Sequence, residues 1–285
     1  MIESMAQDHG PAATDALAGG AAAGEMREGP GPTEPPAHVT PQLLVNQVSK
    51  YYRQFEAVQD VSFAVSPGEV VGLVGPNGAG KTTILRCAAG VLRPTAGTVV
   101  CAGHDMICEP HLAKPQVSLV PETPNLYELL TVQEHLRFIH MAYGEQTDFA
   151  AWSEYLLDTL DLTEKTHALV TTLSKGMRQK VAIACAFIHS PRVFLFDEPF
   201  IGIDPAGQRT VRQMIDTAAQ QGASILISSH MLAAVENLCR RVLVINKGRL
   251  IAEGDLDQLR QRAQMGTDVS FEDVFLTLTD EGEGT

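Results

Sequence analysis

The 285-residue sequence predicts an α/β fold. Three observations predict it. A glycine-rich loop, Gly75–Thr83, lies between an apolar run of strand character and a run of helical character. Downstream of it, short apolar runs alternate with longer segments of helical periodicity. Upstream, apolar segments closed by Pro and Gly read as further strands.

Residues 1–40 come first. Half of them are Ala, Gly or Pro, without helical or strand periodicity. Such a segment buries too little apolar surface to offset the entropy of ordering, so it is expected to be a disordered extension. Folded structure is expected from about Pro41. Strands are predicted over 43–48 and 58–65, the second ending at Pro67-Gly68, and over 69–74 just before the glycine loop. A helix follows over 83–89, then a strand over 97–103. From Thr131 to Leu162 the pattern is helical, with Val132, Leu136, Ile139 and Tyr143 on one stripe. A second helical stretch runs from Ser174 to about His189. Strand 193–196, a helix near 208–221 and strand 224–228 follow, then strands 242–246 and 250–252 joined at Lys247-Gly248.

Composition bounds the function. The formal net charge is −13, of which −5 falls on residues 1–40 and −6 on residues 266–285, so the middle is nearly neutral. No broad basic surface is expected, which argues against non-specific nucleic-acid binding. No run of 18 apolar residues exists. The N-terminus lacks the basic and apolar regions of a secretory signal. Five scattered cysteines suggest reduced thiols in a cytosolic protein. Cys101, His104, Cys108 and His111 superficially have metal-site spacing, but a strand and a Gly103 turn run through them, so a strand cysteine and turn histidines are expected.

The loop Gly75-Pro76-Asn77-Gly78-Ala79-Gly80-Lys81-Thr82-Thr83 matches the phosphate-binding P-loop. Glycines let backbone amides turn toward an anion with no Cβ in the way. The positive end of the following helix backs those amides. Lys81 adds a charge that reaches the β- and γ-phosphates, and the Thr82 hydroxyl suits Mg²⁺. Nucleotide binding follows.

Four more segments carry candidate chemistry. Phe194-Leu195-Phe196 is an apolar strand that delivers Asp197 for Mg²⁺ and Glu198 to accept a proton from water. Ser174 before Gly176 opens a helix whose N-terminus could bind phosphate. His230 follows an apolar strand, and Tyr52 could stack on an adenine. Read alone, each has a plainer reading: solvated acids at a strand end, a capped helix, a structural histidine, a packed surface aromatic.

Taken in order, residues 41–255 resemble the ATP-binding subunit of ABC transporters. The P-loop is Gly75–Thr83, and the Walker B element is Val193–Glu198. Leu173-Ser174-Lys175-Gly176-Met177 is a variant signature, Gly202-Ile203-Asp204-Pro205 the D-loop, and His230 the switch histidine. Two departures stand out. Glu122 occupies the Q-loop glutamine position, bringing a negative charge toward the metal, and Lys175 and Met177 replace Gly and Gln of the signature. These variants, with Phe271–Thr279 as a closing helix, look like the branch that serves ABC-2 type exporters.

The resemblance implies a P-loop NTPase (RecA-like) core with an antiparallel β subdomain and an inserted α-helical subdomain over about 123–190. A C-terminal helical segment and acidic tail would fill 256–285. ATP and Mg²⁺ are the implied cofactors. Gly75, Asn77, Gly78, Ala79, Gly80, Lys81, Thr82 and Thr83 would hold the phosphates, Tyr52 the base, and Thr82, Asp197 and Glu122 the metal. Glu198, His230 and Lys81 would be catalytic. Ser174, Gly176 and Asp204 would act across a dimer with a second nucleotide-binding subunit, identical or not. The helical region around 123–172 would dock on a transmembrane permease, holding the subunit on the cytoplasmic face of the membrane. Three alternatives are weaker. A soluble ABC-family ATPase of translation or repair usually carries two nucleotide domains or a long coiled coil. A GTPase needs an N-K-x-D motif, and Asn246-Lys247-Gly248-Arg249 lacks the Asp. A pseudo-ATPase would not keep Lys81, Asp197, Glu198 and His230 together.

Overall fold

A computed structural model describes residues 40–143, 148–266 and 269–281. The expected extension lies, Thr40 apart, outside the described residues, as does the end of the acidic tail. In chain order the strands are β1 Leu43–Tyr52, β2 Phe55–Val65, β3 Val70–Val74, β4 Ala96–Cys101, β5 His104–Asp105, β6 Val117–Val120, β7 Val193–Asp197, β8 Ser224–Ser228, β9 Arg241–Asn246 and β10 Arg249–Gly254. The helices are α1 Lys81–Ala88, α2 Pro110–Ala113, α3 Val132–Ala142, α4 Phe149–Thr159, α5 Lys175–Phe187, α6 Pro205–Gln220, α7 Leu232–Leu238, α8 Leu256–Arg262 and α9 Phe271–Glu281.

Two sheets organise them. The first has strand order β10-β9-β3-β8-β7-β6, parallel from β9 to β6 with β10 antiparallel at the edge. The second is antiparallel, in order β2-β1-β4-β5. The central strands β3, β7 and β8 are buried at every position. That is why their sequences are continuous apolar runs rather than alternating ones: a parallel sheet is covered on both faces.

Successive side chains still point to opposite faces, and this divides the interior. Val70, Val74, Phe194, Phe196, Ile225 and Ile227 pack with α5, α6 and the helical region. Val71, Leu73, Leu195, Leu226 and Leu243 pack with α1 and the antiparallel sheet. The Phe187 ring lies 4.6 Å from that of Phe194, which ties α5 to β7.

The helix starts obey local chemistry. Thr131 and Glu134 form a reciprocal capping box at α3, Asp148 caps α4, and Asp255 with Gln258 caps α8. The helical expectation for 131–162 resolves into α3 and α4. Four elements lie outside the sequence expectations, among them the two-residue β5, which exists by pairing with β4. The four-residue β6 reads as a loop in sequence, and its strand state comes from pairing with β7. Helices α2 and α7 are too short to show periodicity. The β1–β2 hairpin also runs longer than expected, because its turn at Arg53-Gln54 lacks a glycine and Arg53 itself adopts φ 57°. Cys101, fully buried on β4, has its thiol pushed up to about 12 by burial. Among the described residues no helix is long and apolar enough to cross a membrane.

Candidate active site

Strand β3 ends at Val74, and the glycine loop returns the chain into α1. Gly80 sits at φ 107°, and a Cβ there would lie 2.6 Å from the Ala57 carbonyl oxygen, so only glycine fits this turn. No side chain caps α1. Its first N–H groups therefore face the loop with the helix dipole behind them, which is an anion site. Lys81 is buried, and its Nζ donates to the carbonyls of Gly75 (2.6 Å) and Pro76 (3.1 Å). Burial lowers its pKa, while Glu198, Asp197 and Glu122 pull in the opposite direction.

The acids arrive on β7. Parallel register sets Asp197 beside Ser228 of β8. The Ser228 hydroxyl donates to Asp197 Oδ1 at 2.5 Å, and the Thr82 hydroxyl donates to Oδ2 at 2.7 Å. Both Asp197 oxygens are thereby aimed, although β8 stands between β7 and β3. Glu198 is 7% exposed and adopts φ 52°, a left-handed conformation rare for a non-glycine residue and costing about 1–3 kcal/mol. Its N–H donates to the Ser228 carbonyl at 3.1 Å. Its Oε1 lies 2.8 Å from His230 Nδ1, and the Ser229 hydroxyl donates to Oε2 at 3.3 Å. His230 is half exposed, with one ring nitrogen held by Glu198.

A cavity of about 380 Å³ is lined by Tyr52, Phe55, Ala57, Asn77–Thr83, Glu122, Asp197 and Glu198; Gly75 and His230, both expected in the site, are not on its lining. Tyr52 and Phe55 are exposed at its rim, where an aromatic base could stack. Glu122 follows β6, exposed, on the same cavity. Thr82, Asp197 and Glu122 supply hard oxygen donors, the set that Mg²⁺ takes. A wider groove of about 810 Å³ between α4 and α6 contains none of these residues, so size does not locate the chemistry here.

Ser174, Gly176 and Asp204 do not line the cavity. Ser174 caps α5, its hydroxyl accepting from the Met177 N–H at 3.2 Å. Asp204 caps α6 by accepting from the Gly207 N–H at 3.2 Å, with Lys180 3.8 Å away. These backbone bonds hold its carboxyl below the ordinary range. The expected residues thus fall into two groups. One is assembled around the P-loop; the other consists of two helix starts away from it. The roles of Ser228, Ser229 and Phe55 were not read from sequence. The serines had one signal, their place between an apolar strand and His230.

Comparison with known proteins gives the family. The family model described as "ABC transporter" matches residues 58–201, about half of the chain. The Bacillus subtilis ABC-type transporter ATP-binding protein EcsA is 35% identical over 243 residues, 85% of this chain and 98% of EcsA. The Nod factor export ATP-binding protein I of Paraburkholderia xenovorans is 37% identical over 73% of this chain and 69% of its own length. A solved ATP-binding subunit of an ABC transporter superposes with TM-score 0.78 at 35% identity, covering 83% of this chain and 99% of that one. A dimeric ATP-binding cassette bound to ADP and Pi shares the fold, with TM-score 0.69 at 22% identity over 75% of this chain and 98% of that one. The chain belongs to the ABC transporter family, as an ATP-binding subunit of the ATPase kind.

Proposed function

We propose that this chain is the ATP-hydrolysing subunit of an ABC-2 type exporter and works as a dimer with two shared ATP sites. The observation that carries the reading is the linked pair of contacts at the P-loop: Thr82 to Asp197 at 2.7 Å, and His230 to Glu198 at 2.8 Å. Lys81 and the α1 amides bind the β- and γ-phosphates. Thr82 and Asp197, with Glu122 nearby, would hold Mg²⁺, which when bound would neutralise phosphate charge. Glu198 accepts the proton of the attacking water, and His230 orients Glu198 and steadies the γ-phosphate. Tyr52 stacks on the base. Ser174 and Gly176 of a second subunit close over the γ-phosphate, and Asp204 communicates between the sites.

The exporter branch is supported by Glu122, Lys175 and Met177, and by the likeness to a Nod factor export protein. The permease partner is supported by an apolar surface on and before α3. Tyr127, Leu129, Phe138 and Met141 are exposed there, and Leu129 is 88% exposed. Such a patch marks a partner surface. Docking on the permease would hold the subunit on the cytoplasmic face of the membrane.

A mixing assay tests the shared site. A Ser174→Arg chain and a Lys81→Ala chain, each inactive alone, should regain ATP turnover when mixed, because one site of the mixed dimer is intact. Zero turnover across all mixing ratios would reject the shared site. Co-purification with a permease, lost on Leu129→Asp, tests the docking surface.

A further inference from the structure

The loop from Glu198 to Asp204 joins the two groups of site residues. It carries the base at one end and the D-loop aspartate at the other. Its internal hydrogen bonds are long: the Ile201 N–H reaches the Glu198 carbonyl at 3.3 Å, and the Ile203 N–H reaches that of Phe200 at 3.3 Å. Something outside the loop therefore holds its shape.

Two contacts do so. On the α5 side, Gly176 lies directly against the loop: a Cβ there would sit 2.2 Å from the Gly202 carbonyl oxygen. On the α6 side, one side-chain nitrogen spans the loop. Gln208 Nε2 donates to the carbonyls of Phe200 (3.2 Å) and Ile203 (3.0 Å). Both amide protons are used, and the reverse orientation of the amide would set its oxygen against two carbonyls. The side chains of Phe200 and Ile203 are buried, so these carbonyls flank a packed segment rather than a solvated one. Gln208 itself does not line the nucleotide cavity.

We propose that Gln208 is a positioning residue for hydrolysis. Its two donated bonds fix the Glu198–Asp204 loop, and with it the aim of Glu198. Through Gly202 they also fix the seat of Gly176 and hence the start of α5. The effect on Glu198 stands on this chain's own geometry. The consequence for the opposite ATP site rests on the shared-site dimer proposed above.

Three variants separate donation from packing. Gln208→Glu keeps the shape but replaces the donor with an acceptor, Gln208→Ala removes the group, and Gln208→Lys keeps N–H donors within reach of both carbonyls. The expected result is a kcat about tenfold lower for Gln208→Glu and Gln208→Ala, since a small misplacement of a catalytic group is amplified in rate. KM for ATP and the ATP affinity of the single chain should stay within about twofold, because ground-state binding is untouched. Gln208→Lys should keep roughly half the wild-type kcat or more. A residue that merely stabilises the fold would lower the melting temperature and leave kcat per folded chain unchanged. Wild-type kcat in Gln208→Glu would overturn the proposal, as would an equal loss in Gln208→Lys. If Gln208→Glu does not fold, the Ala and Lys variants make the same comparison. The dependence of the wild-type rate on protein concentration tests the dimer separately. Across a range where sedimentation shows monomer passing into dimer, a rate per chain that does not rise with the dimer fraction would reject the shared site, while the kcat series still decides the role of Gln208 toward Glu198.

Discussion

The P-loop half and the signature half of this subunit differ in how complete they are. Around the P-loop, each group has a partner within the chain: Lys81 on loop carbonyls, Asp197 between Thr82 and Ser228, Glu198 between Ser229 and His230. At the signature, Ser174 and Asp204 serve as helix caps, and neither faces the nucleotide cavity. The first half is preorganised chemistry, whose value lies in needing little rearrangement during reaction. The second is a pair of capped helix starts that lie off that cavity. Under the shared-site proposal, such a subunit binds nucleotide alone and needs a companion to turn it over.

The largest expected effect tests the first half. Glu198→Gln should lower turnover at least about 100-fold, since it removes the proton acceptor. ATP binding, followed by nucleotide titration, should persist. Turnover within tenfold of wild type would mean that the interlocked pair Glu198–His230 is not the reacting pair, and the contrast between the halves would fail.

A smaller effect tests the second half. Ser174→Ala removes the α5 cap, which should cost about 1 kcal/mol of stability in urea unfolding. It should also lower turnover about tenfold through one lost phosphate hydrogen bond. The ATP affinity of the isolated chain should not change. If that affinity falls as it does in Lys81→Ala, the signature already belongs to the site within one chain.

The smallest effect is a difference in acid sensitivity. His189, just after α5, stacks on Tyr143 with ring centroids 3.9 Å apart. Burial lowers its pKa from 6.5 to about 4, against a weaker opposing pull from the backbone of Cys185 and Val117. Its neutral form is the one that the folded state favours. The associated stability is fully present above the unfolded pKa of 6.5 and is lost as pH falls toward 4. The loss should be on the order of 1–3 kcal/mol. Hydrogen exchange between pH 7 and pH 4.5 should show α5 losing protection before α1, and His189→Phe should flatten the difference. Equal loosening of α1 and α5 in the wild-type chain would remove this distinction.

Legibility in the sequence follows the range of the interactions. The P-loop, the acid-bearing strand and the helix caps are each written within a few residues, so their chemistry is local and readable. Lys81, Thr82, Asp197 and Ser174 are legible as candidates for that reason. Ser228 was not: its hydroxyl meets Asp197 because β7 and β8 pair in parallel with one particular register. Strand β6 was hidden for the same reason, since Val117–Val120 becomes a strand only beside β7. The left-handed backbone at Glu198 had no signal either, because glutamate does not favour it, and packing around the loop imposes it.

By itself the sequence determined the α/β class, the ATP-binding family and which residues are candidates for phosphate and metal. Those depend on residue types at short, fixed spacing. Only the tertiary structure decided which oxygens Asp197 and Glu198 present and to whom, that Phe55 joins Tyr52 at the rim, and that Gln208 spans the loop between base and D-loop. It also separated the expected residues into those on the P-loop cavity and those at two helix starts off it. These outcomes depend on strand order, register and helix packing among residues up to 115 positions apart, as for Thr82 and Asp197, and no local pattern encodes such distances.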